Sequence, residues 1–357
     1  MTSGGARAIA LALVAAGTAA CQGERATPVA TEHFRLEPVV TFSATMGEAA
    51  LESMPLLTPR LGAGYHVIST PWGKGERLPR VFDSTGRLLL TLGREGAGPN
   101  EFRAAEMVYA SGDTAMIFDM GARRMTFVAP PDSFLRTVPW QRRPYTLMEL
   151  KDGSFVISTG DFSPGPAMMH LARDGTLLSE FGDSADQRTQ EGRHRVFALS
   201  SDGGFWSART TRRMELQKWR APGDLETTIP LSASWFRPYD ALQRPTETDP
   251  PSPGVMGIWE DAAGMVWVVG MVAGERWADG LGSTRALGDG RTYAPIEDPD
   301  IVFDTVIECW DPVSRTVRWS QRLDRFYGIQ IAPWLMAATR ETMLGYHIAE
   351  VIRVVPR

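Results

Sequence analysis

Gly93-Arg94-Glu95-Gly96-Ala97-Gly98-Pro99-Asn100-Glu101-Phe102 is the most informative stretch of the chain. It joins the apolar segment 88–92 to further alternating segments that begin at residue 107. Because glycine tolerates backbone angles that other residues avoid, such a stretch lets the chain cross from the outer strand of one sheet to the inner strand of the next. We expect Glu101 to hold this crossing by a hydrogen bond and Phe102 by an apolar contact. A phosphate-binding loop would open a helix or end in Gly-Lys-Ser/Thr, and neither is found here.

Short segments of alternating apolar and polar residues continue on both sides of residues 93–102. Turns rich in aspartate, glycine or proline separate them, and aspartate near glycine favours a tight turn between two strands. These turns are at residues 83–86, 151–154, 173–176, 201–204, 260–264 and 311–315. Long amphipathic helical stretches are absent, so the sequence predicts an all-β protein.

The alternating segments group into repeating units of two hairpins each. Five units lie near residues 62–92, 106–138, 146–181, 196–230 and 256–323. A sixth unit combines 328–335 and 343–355 with the N-terminal segment 36–42. Pairing the first strand with the last unit closes a ring and protects the edges of the sheets. The pattern therefore predicts a six-bladed β-propeller, with seven blades as the alternative count.

Residues 81–138 resemble an NHL-type repeat, and residues 93–102 closely resemble the blade junction of bacterial six-bladed β-propeller lipoproteins. The resemblance is specific over 81–138 and extends only as a general pattern over the rest of 36–357. At the third unit the sequence departs from the junction motif after Gly182. The resemblance implies an NHL-like propeller that is attached to a membrane by lipid.

The N-terminus reads as an export signal. Residues 8–20 form an uncharged apolar run, which is shorter than the roughly 20 residues that a membrane-spanning helix needs. Thr18-Ala19-Ala20-Cys21 resembles a lipobox, although Thr18 stands where leucine is usual, and implies that Cys21 is lipidated. Cleavage before Cys21 by an ordinary signal peptidase is the alternative.

These features give a domain plan and a location. We expect a signal peptide at 1–20, a lipid anchor and tether at 21–35, and a single propeller domain at 36–357 with an insertion near 274–299. Gln22 after the cysteine resembles the sorting pattern of outer-membrane lipoproteins. The sequence thus predicts an exported protein, lipid-anchored in the bacterial cell envelope at the outer membrane, facing the periplasm or the cell surface.

Charge and cysteine content exclude some functions. The net charge is −5 and the arginines are scattered along the chain, so we expect no nucleic-acid partner. The second of the two cysteines, Cys309, lies in an alternating run and is expected to be a small buried side chain rather than a reactive thiol. We expect a monomer.

The sequence carries no catalytic motif. Its five histidines lack zinc-ligand spacing, and a Gly-x-Ser-x-Gly nucleophile elbow is missing. We therefore assign no catalytic residue, metal ligand or cofactor. Four aspartates could reach the mouth of a propeller channel, as in metal-dependent lactonases, but each lies in a turn or at a strand end where aspartate is common: Asp119, Asp202, Asp261 and Asp304.

A long polar insertion, residues 274–299, interrupts the fifth unit. Loops of this length are often functional, so its cationic and aromatic residues are candidates for a binding rim at the channel mouth. A variable surface loop is the alternative. The candidate rim residues are Arg276, Trp277, Arg285, Arg291 and Tyr293.

We interpret the protein as a non-catalytic binding platform for a protein, glycan or small ligand at the cell envelope. The alternative is a metal-dependent, lactonase-like hydrolase or lyase with its site at the channel mouth, in which case a calcium or zinc ion is expected. A structural component of an envelope assembly is a third possibility. Fold alone does not choose among them.

Overall fold

A computed structural model describes residues 34–43, 50–51, 55–60, 64–69, 78–111, 114–129, 132–160, 165–184, 194–239, 245–246, 248–286, 292–341 and 346–356. They all belong to one compact unit, residues 32–357. The predicted signal peptide, Cys21 and all but the last residues of the predicted tether lie outside the described residues.

Six four-stranded antiparallel sheets make up the fold, and they are arranged as a β-propeller. The blades are blade 1 (Pro55–Arg60, Gly64–Ser69, Arg80–Phe82, Leu88–Thr91), blade 2 (Ala105–Ser111, Thr114–Asp119, Arg124–Ala129, Ser133–Pro139), blade 3 (Pro144–Glu149, Phe155–Thr159, Pro166–Leu171, Leu177–Ser184), blade 4 (Arg195–Leu199, Phe205–Arg209, Glu215–Ala221, Asp224–Pro230), blade 5 (Gly254–Glu260, Val266–Ala273, Phe303–Asp311, Thr316–Leu323) and blade 6 (Ile329–Ala332, Leu335–Glu341, His347–Pro356, Phe34–Phe42). The predicted fold class and blade number are confirmed.

The N-terminal strand closes the ring, as predicted. Phe34–Phe42 pairs antiparallel with His347–Pro356, from Phe34 opposite Pro356 to Phe42 opposite Ala349. Phe34 and Phe42 are both buried, so apolar packing adds to the backbone pairing. The last blade is therefore built from both ends of the propeller domain.

The propeller has two distinct faces. Because successive strands in each blade are antiparallel, the turns between first and second strands and between third and fourth strands lie on one face, the turn face. Turns between second and third strands lie on the opposite face, together with the links between blades. We call this opposite face the connection face. All six Asp- and Gly-rich turns predicted from sequence lie on the turn face. Their aspartates accept backbone N–H groups, as Asp83 does from Thr85 and Arg87.

The first strands surround the central axis, since each contacts the first strands of the neighbouring blades in a closed ring. Their exposed edges are partly satisfied by hydrogen bonds between blades. These bonds run from Thr58 Oγ1 to Val108 O at 2.6 Å, from Glu149 N to the Tyr109 hydroxyl at 3.1 Å, from Thr146 Oγ1 to Arg195 O, and between the Gln330 amide and both backbone groups of Ile258 at 2.8 and 2.9 Å.

Residues 93–102 form the link between blades 1 and 2. Arg94–Glu95 pairs in parallel with Glu101–Phe102, and Phe102 is buried with the apolar residues of blade 2. The Glu101 carboxylate accepts the Gly98 N–H at 2.6 Å and the Arg94 Nε–H at 2.9 Å. These bonds hold the pKa of Glu101 below its usual range. The predicted roles of Glu101 and Phe102 are confirmed.

Gly96→Ala is expected to destabilise this link strongly. Gly96 has φ of +148°, and a Cβ atom there would lie 2.1 Å from the Glu101 carboxylate. The variant therefore combines backbone strain with loss of the Glu101 bonds, so the free energy of unfolding should fall by at least about 2 kcal/mol. Chemical denaturation measures this loss.

Gly203→Ala is the matched control. Gly203 also has positive φ, +102°, but a Cβ atom there would meet nothing within 4 Å. Gly203→Ala should be destabilised by backbone strain alone, so its free energy of unfolding should fall less than that of Gly96→Ala. Equal losses in the two variants would show that the contact with Glu101 does not matter.

Candidate binding site at the channel mouth

A group of charged and aromatic side chains lies where the first strands of blades 2, 3 and 4 begin, on the connection face. We call it the channel-mouth cluster; its members are Glu106, Arg143, Tyr145, His194 and Arg195. Arg143 and His194 immediately precede the first strands of blades 3 and 4, and the other three lie on first strands. The start of each inner strand thus places these side chains around the axis.

An ion pair joins blades 2 and 3 in this cluster. Arg143 Nε lies 2.8 Å from Glu106 Oε2, and the two side chains are 28% and 15% exposed. Ions that are this far removed from water require a partner, which each supplies for the other. The Arg143 carbonyl also accepts the Gly160 N–H at 2.8 Å, which fixes the end of the neighbouring strand.

A stacked ring pair joins blades 3 and 4. The Tyr145 and His194 rings lie 3.8 Å apart at an interplanar angle of 6°. A Cβ atom on Gly160 would lie 3.4 Å from His194 Nε2, so the glycine leaves room for the imidazole. The stack fixes the orientation of the histidine at the channel mouth.

Arg195, the residue after His194, is completely buried. Its Nη1 donates to the His194 carbonyl at 3.1 Å, and its backbone N–H donates to Ser158 Oγ at 2.9 Å. Burial, together with the positive charges of Arg195 and Arg143, lowers the pKa of His194 to about 4. His194 is therefore a neutral imidazole at neutral pH.

This histidine should make stability depend on pH. Its pKa is lower in the folded chain than the ordinary 6.5 of an unfolded one, so the unfolded chain binds the proton more tightly. Stability is then fully present above pH 6.5 and falls as the pH drops towards 4, by up to about 3 kcal/mol from this group. We expect His194→Gln to flatten the curve of unfolding free energy against pH in that range. Parallel curves for the two proteins would contradict this assignment.

The chemistry of the cluster suits binding of an anionic group. With His194 neutral, two guanidinium groups and one carboxylate leave one positive charge among its five side chains. Guanidinium groups bind carboxylate and phosphate oxygens with paired hydrogen bonds, and such bonds are stronger where water is excluded. The flat Tyr145–His194 pair adds an aromatic surface beside them.

The four aspartates considered from the sequence do not meet. Asp202 and Asp261 lie in turns on the turn face, whereas Asp119 and Asp304 lie at strand ends on the connection face. Asp119 is fully buried and accepts three backbone N–H groups, and Asp304 pairs with Arg322 at 2.6 Å. Across the described ranges, no group of three or more His, Cys, Asp or Glu residues is placed to hold a metal ion.

The candidate rim residues lie in the segment between the second and third strands of blade 5, and hence on the connection face. Trp277 begins the short 3₁₀ helix Trp277–Gly280, directly after the exposed Arg276. Arg285 pairs with Tyr293 in a two-stranded ribbon, Arg285–Ala286 with Thr292–Tyr293, and the helix Pro299–Val302 follows. Arg291 lies outside the described residues. The structure brings Arg285 and Tyr293 together.

The sequence alone predicts no role for any member of the channel-mouth cluster. His194 is one of the five histidines, which lack zinc-ligand spacing. The available signal is positional, since Arg143, Tyr145, His194 and Arg195 all lie within three residues before the predicted units that begin at 146 and 196. Predicting the cluster would have required knowing that the starts of these inner strands lie close together in the folded propeller.

No family model and no curated protein matches the sequence. Solved structures resemble the chain along most of its length, and two examples follow. A member of the DUF4221 family from Bacteroides vulgatus covers 92% of this chain and 98% of its own, at 7% identity and a TM-score of 0.55. A candidate exported protein from Bacteroides fragilis covers 91% and 95%, at 8% identity and a TM-score of 0.53. At these identities the likeness shows the propeller fold.

The helices that the structure describes are short, namely Trp277–Gly280 and Pro299–Val302. Within the residues that it describes, no helix is long and apolar enough to cross a membrane.

Proposed function

We propose that the protein is an exported, lipid-anchored propeller that binds a ligand bearing an anionic group at the channel-mouth cluster, without catalysing a reaction. The observation that carries this proposal is the net positive charge of the cluster, in which the partly exposed Arg143 and the fully buried Arg195 lie near the neutral His194 and only Glu106 is negative. Buried charge is costly, and charged groups gathered in a central cleft are candidates for a functional site.

The connection face is the side on which a ligand would arrive. The candidate rim residues of the blade 5 insertion lie on the same face as the cluster. We propose that Arg276, Trp277 and the paired Arg285 and Tyr293 contact the more distant parts of a ligand or a bound protein. Aromatic and arginine side chains are the residue types most enriched at such contacts.

Attachment to the membrane follows from the predicted lipid on Cys21. A lipid anchor would keep the propeller at the outer membrane, where ligands of the cell envelope are concentrated. In this proposal the lipid anchor holds the protein at the membrane, and the channel-mouth cluster binds the ligand.

A thermal-shift titration tests the binding proposal. The probes are acetate, citrate, inorganic phosphate and galacturonate, added separately to the wild-type chain, to Arg143→Ala and to Arg220→Ala. Arg220 is the control because it forms an exposed ion pair with Asp224 on the outer part of blade 4, far from the axis in the sheet order. Arg143 is chosen over Arg195 because it is partly exposed and its loss should be better tolerated.

At least one probe should raise the Tm of the wild type and of Arg220→Ala while leaving Arg143→Ala unchanged, because a ligand that binds only the folded state stabilises it. Equal shifts in all three proteins would place anion binding elsewhere. No shift with any probe would contradict an anion site.

A further inference from the structure

Exposed large apolar side chains are distributed unequally between the two faces. Among the described residues, all but one lie in turns or at strand ends on the turn face, and the exception is Ile296 in the blade 5 insertion. Most belong to the hairpin between the third and fourth strands, at the outside of a blade. We call six of them the apolar rim: Leu89, Leu135, Leu177, Leu178, Leu225 and Val313, which are 42% to 90% exposed.

The apolar rim includes residues from five of the six blades. Farther along the same outer strands, towards the connection face, most exposed residues are polar or charged, as Thr137, Glu180 and Glu226 are, and the exposed apolar residues are the terminal Pro139 and Pro230. Single exposed leucines are ordinary on protein surfaces, but their repetition at one end of successive blades makes the whole edge amphipathic. The outer strands are thus more apolar at their turn-face end than at their connection-face end.

The chain enters the propeller at this same face. The strand Phe34–Phe42 begins opposite Pro356, the last residue of its partner strand, and that strand ends on the turn face. Twelve residues, 22–33, separate Cys21 from Phe34, a length that spans at most about 40 Å when fully extended. Because this tether joins the propeller at the turn face, a lipid on Cys21 would favour the turn face over the connection face next to the bilayer.

We propose that the turn face rests on the lipid bilayer, with the apolar rim in the membrane interface and the channel-mouth cluster directed away from it. This inference rests on the proposed lipid anchor. Anchoring by one covalent signal is strengthened by a second contact, and apolar side chains at the interface supply one. The turn face carries charges of both signs, including Lys151, Asp152, Arg173 and Asp174, so the contact should not require anionic lipid.

Site-directed spin labelling tests this orientation. The full-length lipidated chain is reconstituted into vesicles of phosphatidylcholine and phosphatidylethanolamine, with a single cysteine introduced as Leu178→Cys or Val313→Cys. Ile296→Cys is the matched control, because Ile296 is a similarly exposed apolar residue on the opposite face. Native Cys309 should not take the label, because it is 2% exposed and burial raises the pKa of its thiol to about 12.

The readout is collision of each label with oxygen and with a water-soluble nickel complex. We expect labels at 178 and 313 to collide with the nickel complex several-fold less often than the label at 296, and more often with oxygen. Equal access of the nickel complex at all three positions would overturn the orientation. Flotation of the unlabelled chain with the vesicles is measured first, so that failure of the lipid anchor is seen separately from failure of the apolar rim.

Discussion

Replacing Trp267 with alanine should lower the free energy of unfolding by about 3–5 kcal/mol. Trp267 is 1% exposed and lies between blades 5 and 6. Its ring stacks in parallel on Trp259 with centroids 5.9 Å apart, and contacts Trp334 at 4.9 Å and Trp319 at 5.4 Å. Its Nε1–H also donates to the Asp261 carboxylate at 2.8 Å. The substitution leaves a cavity and an aspartate without this donor, so both packing and hydrogen bonding are lost.

Trp277→Ala is the control for this experiment. Trp277 is partly buried in the 3₁₀ helix of the insertion, outside the six blade sheets. The same change in residue size there should cost less than about 1.5 kcal/mol, because fewer buried contacts are removed. Chemical denaturation of both variants measures the difference. Similar losses would mean that the tryptophan cluster between blades 5 and 6 contributes no special stability.

Cys21→Ser should release the protein from membranes almost completely. The lipid proposed on Cys21 requires its thiol, and serine cannot replace that thiol in the lipidation reaction. Without the lipid, contact of the apolar rim with the bilayer should be weak and reversible, as binding through a single membrane signal is. Fractionation of cells that express the full chain measures the membrane-bound share.

Cys309→Ala is the control for Cys21→Ser, because it removes the other cysteine from a buried position in blade 5. This variant should remain in the membrane fraction. A Cys21→Ser protein that stays in the membrane fraction to the same extent would contradict the lipid anchor. It would leave export by ordinary signal-peptidase cleavage as the explanation of the N-terminal sequence.

Much of the fold could be predicted because the residues that specify its turns and links are close together in the sequence. Asp152 and Gly153 specify a turn within a few residues, and the hairpin they predict forms between Pro144–Glu149 and Phe155–Thr159. Residues 93–102 likewise carry both the glycines and the Glu101 side chain that hold the link. Ring closure by Phe34–Phe42 is not local, and was predicted only because six units needed one more strand.

The channel-mouth cluster could not be predicted from such signals. Arg143 and Glu106 are far apart in sequence and belong to different blades, and His194 meets Tyr145 only when blades 3 and 4 are adjacent. The apolar rim could not be predicted from the sequence for a related reason. Leu135 and Leu225 fit the alternating strand pattern in the sequence, and only the structure shows that both are exposed on the same face.

Native mass spectrometry of the full chain, extracted from its own membranes in mild detergent, tests whether the protein is a lipid-anchored binding platform without a bound metal ion. We expect a monomer that begins at Cys21, carries the added mass of a lipid, and holds no stoichiometric metal ion. Arg143→Ala should give the same protein mass but lose any anionic molecule that the wild type retains. A stoichiometric calcium or zinc ion would contradict the non-catalytic platform and favour a metal-dependent hydrolase or lyase.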